Sequence, residues 1–184
     1  MRIIGGTFRG RTLHTPAGKN TRPTQGRLRE AVFNILQHEI ADARFLDICA
    51  GSGAMGLEAL SRGAAFVAFI DSSRDAIQCI RKNVEALQVQ DNTKILCGDA
   101  RKILPQLDAQ AQSFDICYID APYAEHAVIT DILTVLDNTT CLCGKNALIF
   151  LETDGAIQLP ELHHCILQDT RTYGDSALLL FMVV

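Results

Sequence analysis

With 184 residues, 48% of them hydrophobic, the chain can bury a core without metal or disulfide staples, and one domain over residues 1–184 is expected. No eighteen-residue apolar run occurs and Met1-Arg2-Ile3-Ile4-Gly5-Gly6 lacks the apolar stretch of a secretory signal, which argues against a membrane span and for a cytoplasmic protein. The net charge of −4 hides an asymmetry: residues 1–30 hold seven basic side chains against one acid, Glu30, a local +6, while the other 154 residues carry −10, so a polyanion met by one basic face is expected.

In chain order, Arg2 to Leu13 contains two short β-compatible pieces around Gly5-Gly6 and Arg9-Gly10, a small hairpin extension that with its Pro16, Gly18 and Pro23 loop spans residues 1–23. From Thr24, read as an N-cap, Leu28, Val32, Phe33, Ile35, Leu36 and Ile40 recur at helical spacing, predicting one amphipathic helix to about Ala41. Strand and helix then alternate. The predicted strands are 44–49, 66–70, 94–97, 114–119 and 147–151, and the predicted helices are 54–62, 75–87, 100–107 (broken by Pro105) and 127–136. The closing pair, 164–168 and 177–183, has no helix between its members and should form a hairpin.

Apolar strands alternating with amphipathic helices require a sheet covered on both faces. The expected fold class is therefore α/β: a doubly wound, mostly parallel seven-stranded sheet with one antiparallel strand and an N-terminal hairpin. Seven cysteines, scattered through apolar segments, are read as reduced core residues. Cys141-Leu142-Cys143 lacks metal-site spacing and no metal is assigned; His14, His38, His126, His163 and His164 receive no role.

Phe45 to Gly56 reads as a strand entering a G-x-G-x-x-G turn that opens a helix. Gly51 and Gly53 permit the tight turn and close approach of a ligand, and Gly56 permits close helix packing. Asp71, twenty residues after Gly51, ends the second strand, where one carboxylate can grip a ribose diol. Nicotinamide dinucleotides would satisfy that much, but Asp47 at the end of the first strand would repel their pyrophosphate and attract the ammonium of a methionine moiety. Asp99, after the third strand, can accept from an adenine amino group. The candidate cofactor is S-adenosylmethionine, and the candidate residues are Asp47, Gly51, Ser52, Gly53, Asp71, Ser72, Asp99 and Ala100.

Asp120-Ala121-Pro122-Tyr123 follows the fourth strand and supplies the candidate catalytic residues. An arylamine nitrogen is a poor nucleophile because its lone pair is delocalised, so methylating it depends on geometry. The Asp120 side chain and the Ala121 carbonyl can each accept an N–H, Pro122 stiffens the turn, and Tyr123 offers a stacking face for an extruded base. Asp115 and Tyr118 read as strand-boundary and core residues.

Taken together, Gly5-Gly6 to Arg11, Arg22-Pro23-Thr24 to Arg29-Glu30 with Phe33-Asn34, Asp47 to Gly63, Asp120 to Tyr123 and Arg171 to Asp175 resemble the RsmD family of bacterial 16S rRNA (guanine-N2) methyltransferases over nearly the whole chain. The resemblance implies methyl transfer to the guanine the family numbers 966, in an assembled or assembling small ribosomal subunit. It also implies RNA contacts from the hairpin and the following helix start: Arg2, Arg9, Arg11, Lys19, Arg22, Thr24, Arg27 and Arg29. No obligate protein partner is implied, and a monomer is expected. Arg171 and Tyr173 are read as bracing the last hairpin. Two positions depart from the family pattern. Ala121 stands where a proline is usual, leaving the backbone acceptor intact, and Gly26 stands where an acid is usual.

Three rival classes share parts of this pattern. A DNA adenine-N6 methyltransferase uses the same turn chemistry, but the sequence has no separate target-recognition segment. A non-catalytic RNA-binding factor could keep the fold, and a small-molecule methyltransferase would leave the basic arm without a use.

Overall fold

The computed structural model describes residues 1–16, 23–122 and 126–184, the side chains of residues 23–25 excepted. Helix α1 (Pro23–Ile35) opens on a proline, whose missing N–H costs nothing at the first helical position. The single helix expected to reach Ala41 instead tightens into a 3₁₀ turn at Leu36–His38, where Glu39 and Ile40 N–H both reach back to the Leu36 carbonyl. Its apolar spacing survives this change, because Leu36 and Ile40 remain buried.

The alternating elements follow as β1 (Arg44–Ile48), α2 (Ala54–Ser61), β2 (Phe66–Asp71), α3 (Arg74–Leu87), β3 (Thr93–Cys97), α4 (Ala100–Ala109), β4 (Phe114–Ile119), α5 (His126–Asp137), β5 (Cys143–Thr153), β6 (Cys165–Tyr173) and β7 (Ser176–Val183). They build one seven-stranded sheet in the order β3-β2-β1-β4-β5-β7-β6. Strands β1 to β5 pair in parallel, and β7 runs antiparallel to both β5 and β6, which is the reversed strand expected from the missing crossover helix.

Three further expectations are corrected. Pro105 lies inside α4 without ending it: the helix sacrifices one backbone bond but stays pinned by buried Leu104 and Leu107 on either side. Strand β6 runs to Tyr173 rather than Gln168, because an edge strand paired only with β7 can be polar, and Asp169 to Thr172 carry no apolar run to read. The N-terminal hairpin has a single bridge, Arg2 to Thr12, in place of two strands, and turns supported by Ile3 N–H to Arg11 O (3.1 Å) and Gly10 N–H to Ile3 O (2.9 Å).

The sheet has two cores. One face, bearing Leu46, Ile48, Cys117, Ile119 and Leu151, is covered by α4 and α5. The other, bearing Phe45, Val67, Phe69, Tyr118 and Phe150, is covered by α1, α2 and α3, with Ile3 and Leu13 of the N-terminal segment completing it. Cys117, Cys143 and Cys165 lie in the first core as free thiols and Cys79 is buried on α3, whereas Cys97 and Cys141 are exposed. Among the described residues no helix is long and apolar enough to cross a membrane.

Candidate active site

The sheet order reverses between β1 and β4, so the crevice beyond their carboxyl ends is where an open α/β sheet takes its ligand. Hydrogen bonds join the strand exits there in series. Asp120 N–H donates to Ile48 O (3.2 Å), Ala50 N–H to Ile70 O (3.0 Å), and Gly98 N–H to Asp71 O (2.9 Å). The exits of β3, β2, β1 and β4 therefore share one edge. A separate concavity of about 600 Å³, lined by Glu39, Asp42, Asp115 and Asn146 among others, lies at the amino end of β1 and β4 and holds none of the candidate residues.

The glycine turn has the backbone its sequence anticipates. Gly51 and Gly53 adopt φ of 57° and 76°, left-handed values that side chains resist, and a Cβ on Gly51 would project into open space with no atom within 4 Å. That open side leaves room for a ligand against the backbone. At Gly56 the opposite holds: a Cβ would sit 2.4 Å from Phe69 and 2.6 Å from Val67, so the glycine permits α2 to lie directly on β2.

Each acid has a defined place. Asp71 accepts Gly51 N–H on Oδ2 and Ser73 N–H on Oδ1, both at 2.8 Å, and so ties the β2 exit to the turn. Ser72 is exposed beside it. Asp47 is 1% exposed and accepts Gly56 N–H at 2.9 Å. Burial pushes its carboxyl well above the usual range; the neighbouring Asp120 and Asp71 push the same way, against the Gly56 hydrogen bond. Asp99 caps α4 by accepting Arg101 N–H, and the Arg101 guanidinium, 2.7 Å from Oδ2, holds the Asp99 carboxyl below its ordinary range. Ala100 is buried as the first residue of α4.

Beyond β4, Asp120 is half-buried, Ala121 is 1% exposed and Pro122 is exposed. Tyr123 lies outside the described residues. Two residues earlier than Asp120, Tyr118 is fully buried and donates its hydroxyl to Glu152 Oε2 at 2.7 Å. Burial, with Glu152, Asp120 and Asp47 close by, raises its phenol well above the ordinary value, so Tyr118 stays protonated in this acidic setting.

Of the candidate RNA-contacting residues, Arg2, Arg9, Arg11 and Arg27 are exposed, and Arg11 also donates to Ala86 O at 2.8 Å. Lys19 and Arg22 lie outside the described residues, as does the Thr24 side chain. Arg29 departs from its expected place. It is 6% exposed, donates to Arg2 O at 2.7 Å and lies 3.7 Å from Glu58, so it is a buried clamp on the N-terminal segment.

Two residues that pattern-reading left aside organise this region. Glu58, 0% exposed, accepts Ile4 and Gly5 N–H and the Arg62 guanidinium, each at 2.8 Å. Asn83 holds His14 from α3. Neither carried a signal in the sequence, since a polar side chain on a helix reads as solvated until its contacts are known. At the other end of the sheet, Arg171 pairs with Asp169 at 2.7 Å on exposed β6, and Tyr173 is half-buried against the second core.

A sheet of this order with β7 reversed, a glycine turn after β1 and an acid turn after β4, defines an S-adenosylmethionine-dependent methyltransferase of the doubly wound kind. The family model described as Conserved hypothetical protein 95 matches residues 1–182, and the chain belongs to that family, the RsmD methyltransferases. Among its relatives, the protein named Ribosomal RNA small subunit methyltransferase D of Escherichia coli K12 is 37% identical over 160 residues, 87% of this chain and 78% of that protein. YlbH of Bacillus subtilis is 32% identical over 182 residues, 98% of both chains. The solved structure of Escherichia coli yhhF superposes with a TM-score of 0.86 at 33% identity, covering 100% of this chain and 97% of the other. SMU.776, solved in complex with SAH, shares the fold at a TM-score of 0.68 and 15% identity, covering 89% of this chain and 50% of its own.

Proposed function

We propose that this protein transfers the methyl of S-adenosylmethionine to the exocyclic N2 of a guanine in 16S rRNA, the position the family numbers 966. The observation that carries the reading is the bond from Asp120 N–H to Ile48 O, which sets an amine-accepting turn next to a cofactor loop. The name of the Escherichia coli relative supports an rRNA substrate, and the exposed Arg2, Arg9, Arg11 and Arg27 suit a phosphate backbone.

In this reading Gly51, Ser52 and Gly53 would hold the cofactor by their backbone, Asp71 would accept from its ribose hydroxyls, Asp99 would accept from its adenine amino group, and Asp47, when ionised, would attract its cationic part. When bound, S-adenosylmethionine supplies a methyl on a positively charged sulfur. The chain's own residues do the rest. The Asp120 carboxylate and the Ala121 carbonyl would accept the two N–H bonds of the guanine amino group, which directs its lone pair toward the donor and stabilises the positive charge developing on nitrogen, and the Asp120 carboxylate would take the proton that the nitrogen gives up as it gains the methyl. Tyr123 stacks on the extruded base, and Pro122 stiffens the turn. Ala121 in place of proline keeps the backbone acceptor.

Tritium transfer from labelled S-adenosylmethionine into small ribosomal subunits, free 16S rRNA and duplex DNA tests the reading. Label in rRNA, recovered as N2-methylguanine, is the expected result. Label confined to DNA, or no transfer to any ribosomal substrate, would overturn it.

A further inference from the structure

Asn83, on α3, is 1% exposed and makes bonds in two directions. Its Oδ1 accepts His14 N–H at 2.8 Å, and its amide donates to His14 O at 3.0 Å, gripping one residue of the N-terminal segment as a neighbouring strand would. The same amide nitrogen donates to Ser52 O at 2.9 Å, inside the glycine turn. Cys79, one helical turn earlier, adds its thiol to His14 O at 3.1 Å.

Both amide hydrogens and the amide oxygen are therefore engaged, and only asparagine fits this arrangement. Aspartate lacks both donors, glutamine is one methylene too long, and any shortening leaves buried peptide groups without partners. Holding Ser52 O fixes the peptide leading into Gly53, the residue from which α2 starts. On the other side, the segment leading into His14 carries the exposed Arg9 and Arg11.

We propose that Asn83 is a positioning residue that couples the basic N-terminal segment to the cofactor turn, so that rRNA engaging the segment tightens cofactor binding and the cofactor in turn tightens rRNA binding. The inference rests on the rRNA reading above. Reciprocity follows from linkage: a residue that biases both sites must transmit equally in each direction.

The test is the dissociation constant of S-adenosylhomocysteine, which cannot turn over, with and without saturating small ribosomal subunits from cells lacking this protein. Subunits should tighten it about fivefold or more in the unaltered protein, and the ratio should fall to near one in Asn83→Ala and Asn83→Asp. A merely structural asparagine would weaken both binding constants and leave the ratio intact, which would overturn the proposal. Should the variants unfold, amide exchange of the unaltered protein decides: bound S-adenosylhomocysteine must slow exchange of His14 N–H, and unchanged exchange sinks the idea. Subunit binding with no effect on the cofactor overturns this inference alone. Absence of binding to both subunits and free 16S rRNA overturns the rRNA reading and the coupling together.

Discussion

The backbone N–H of Asp120 donates to the carbonyl of Ile48 across 3.2 Å, so the turn leaving β4 is bolted to the residue from which β1 enters its glycine turn. Two segments seventy-two positions apart in sequence thereby face one crevice, and the buried Asp47, next to Ile48 in β1, comes under the like charges of Asp120 and Asp71.

Asp47 should be a site where function opposes stability. Its carboxyl binds a proton more tightly folded than unfolded, so its contribution to stability is present in acid and is lost as pH rises through its raised folded value. The substitution Asp47→Asn keeps an acceptor for Gly56 N–H and removes the buried charge. Near pH 8 this variant should melt higher, with a gain of about 1 kcal/mol corresponding to roughly 2–4 °C, and the gain should shrink toward pH 5. Cofactor affinity, followed by calorimetry, should fall about tenfold as the attraction for a cationic ligand is lost. A lower melting temperature near pH 8 would contradict this account.

The two arginines Arg9 and Arg29 should part company in variants. Arg9→Ala removes an exposed charge, so KM for rRNA should rise severalfold, the salt slope of binding should fall by about one, and melting should stay unchanged. Arg29→Ala takes the clamp from Arg2 O and a cation from Glu58, costing on the order of 2 kcal/mol. Thermal melting beside a salt titration of rRNA binding checks both, and equal melting of the two variants would disprove the distinction.

Gly56 and Gly26 should respond oppositely to the same methyl group. Gly56→Ala drives its Cβ into Phe69 and Val67 and should cost roughly 1–3 kcal/mol, with weaker cofactor binding as α2 lifts from the turn. In α1, Gly26 has nothing within 4 Å of a built Cβ, and Gly26→Ala should add about 0.5–1 kcal/mol by helix propensity. Urea unfolding of the two variants measures both signs.

The strand and helix alternation and the glycine turn were legible because their signals are local: an apolar run, a period, a triplet between two elements. The acids at the ends of β2 and β4 could be read for the same reason, since Asp71 closes its strand and Asp120 directly follows its own. Glu58, Asn83 and the inward turn of Arg29 were not legible. Their partners lie 53, 69 and 27 positions away, and a polar residue on a helix is read as solvated until its contacts are known. The charge count of the N-terminal segment likewise treated every arginine as exposed. Only packing against α2 separates the buried clamp from Arg2, Arg9, Arg11 and Arg27, which face solvent.

Mass analysis of 16S rRNA nucleosides tests the claim that Asp120 holds the amine against the cofactor turn. Deleting the gene should remove one N2-methylguanine, which the unaltered gene restores and Asp120→Ala does not, although the variant binds S-adenosylhomocysteine within a few-fold of normal. Full restoration by Asp120→Ala, or an unchanged nucleoside profile after deletion, would contradict it.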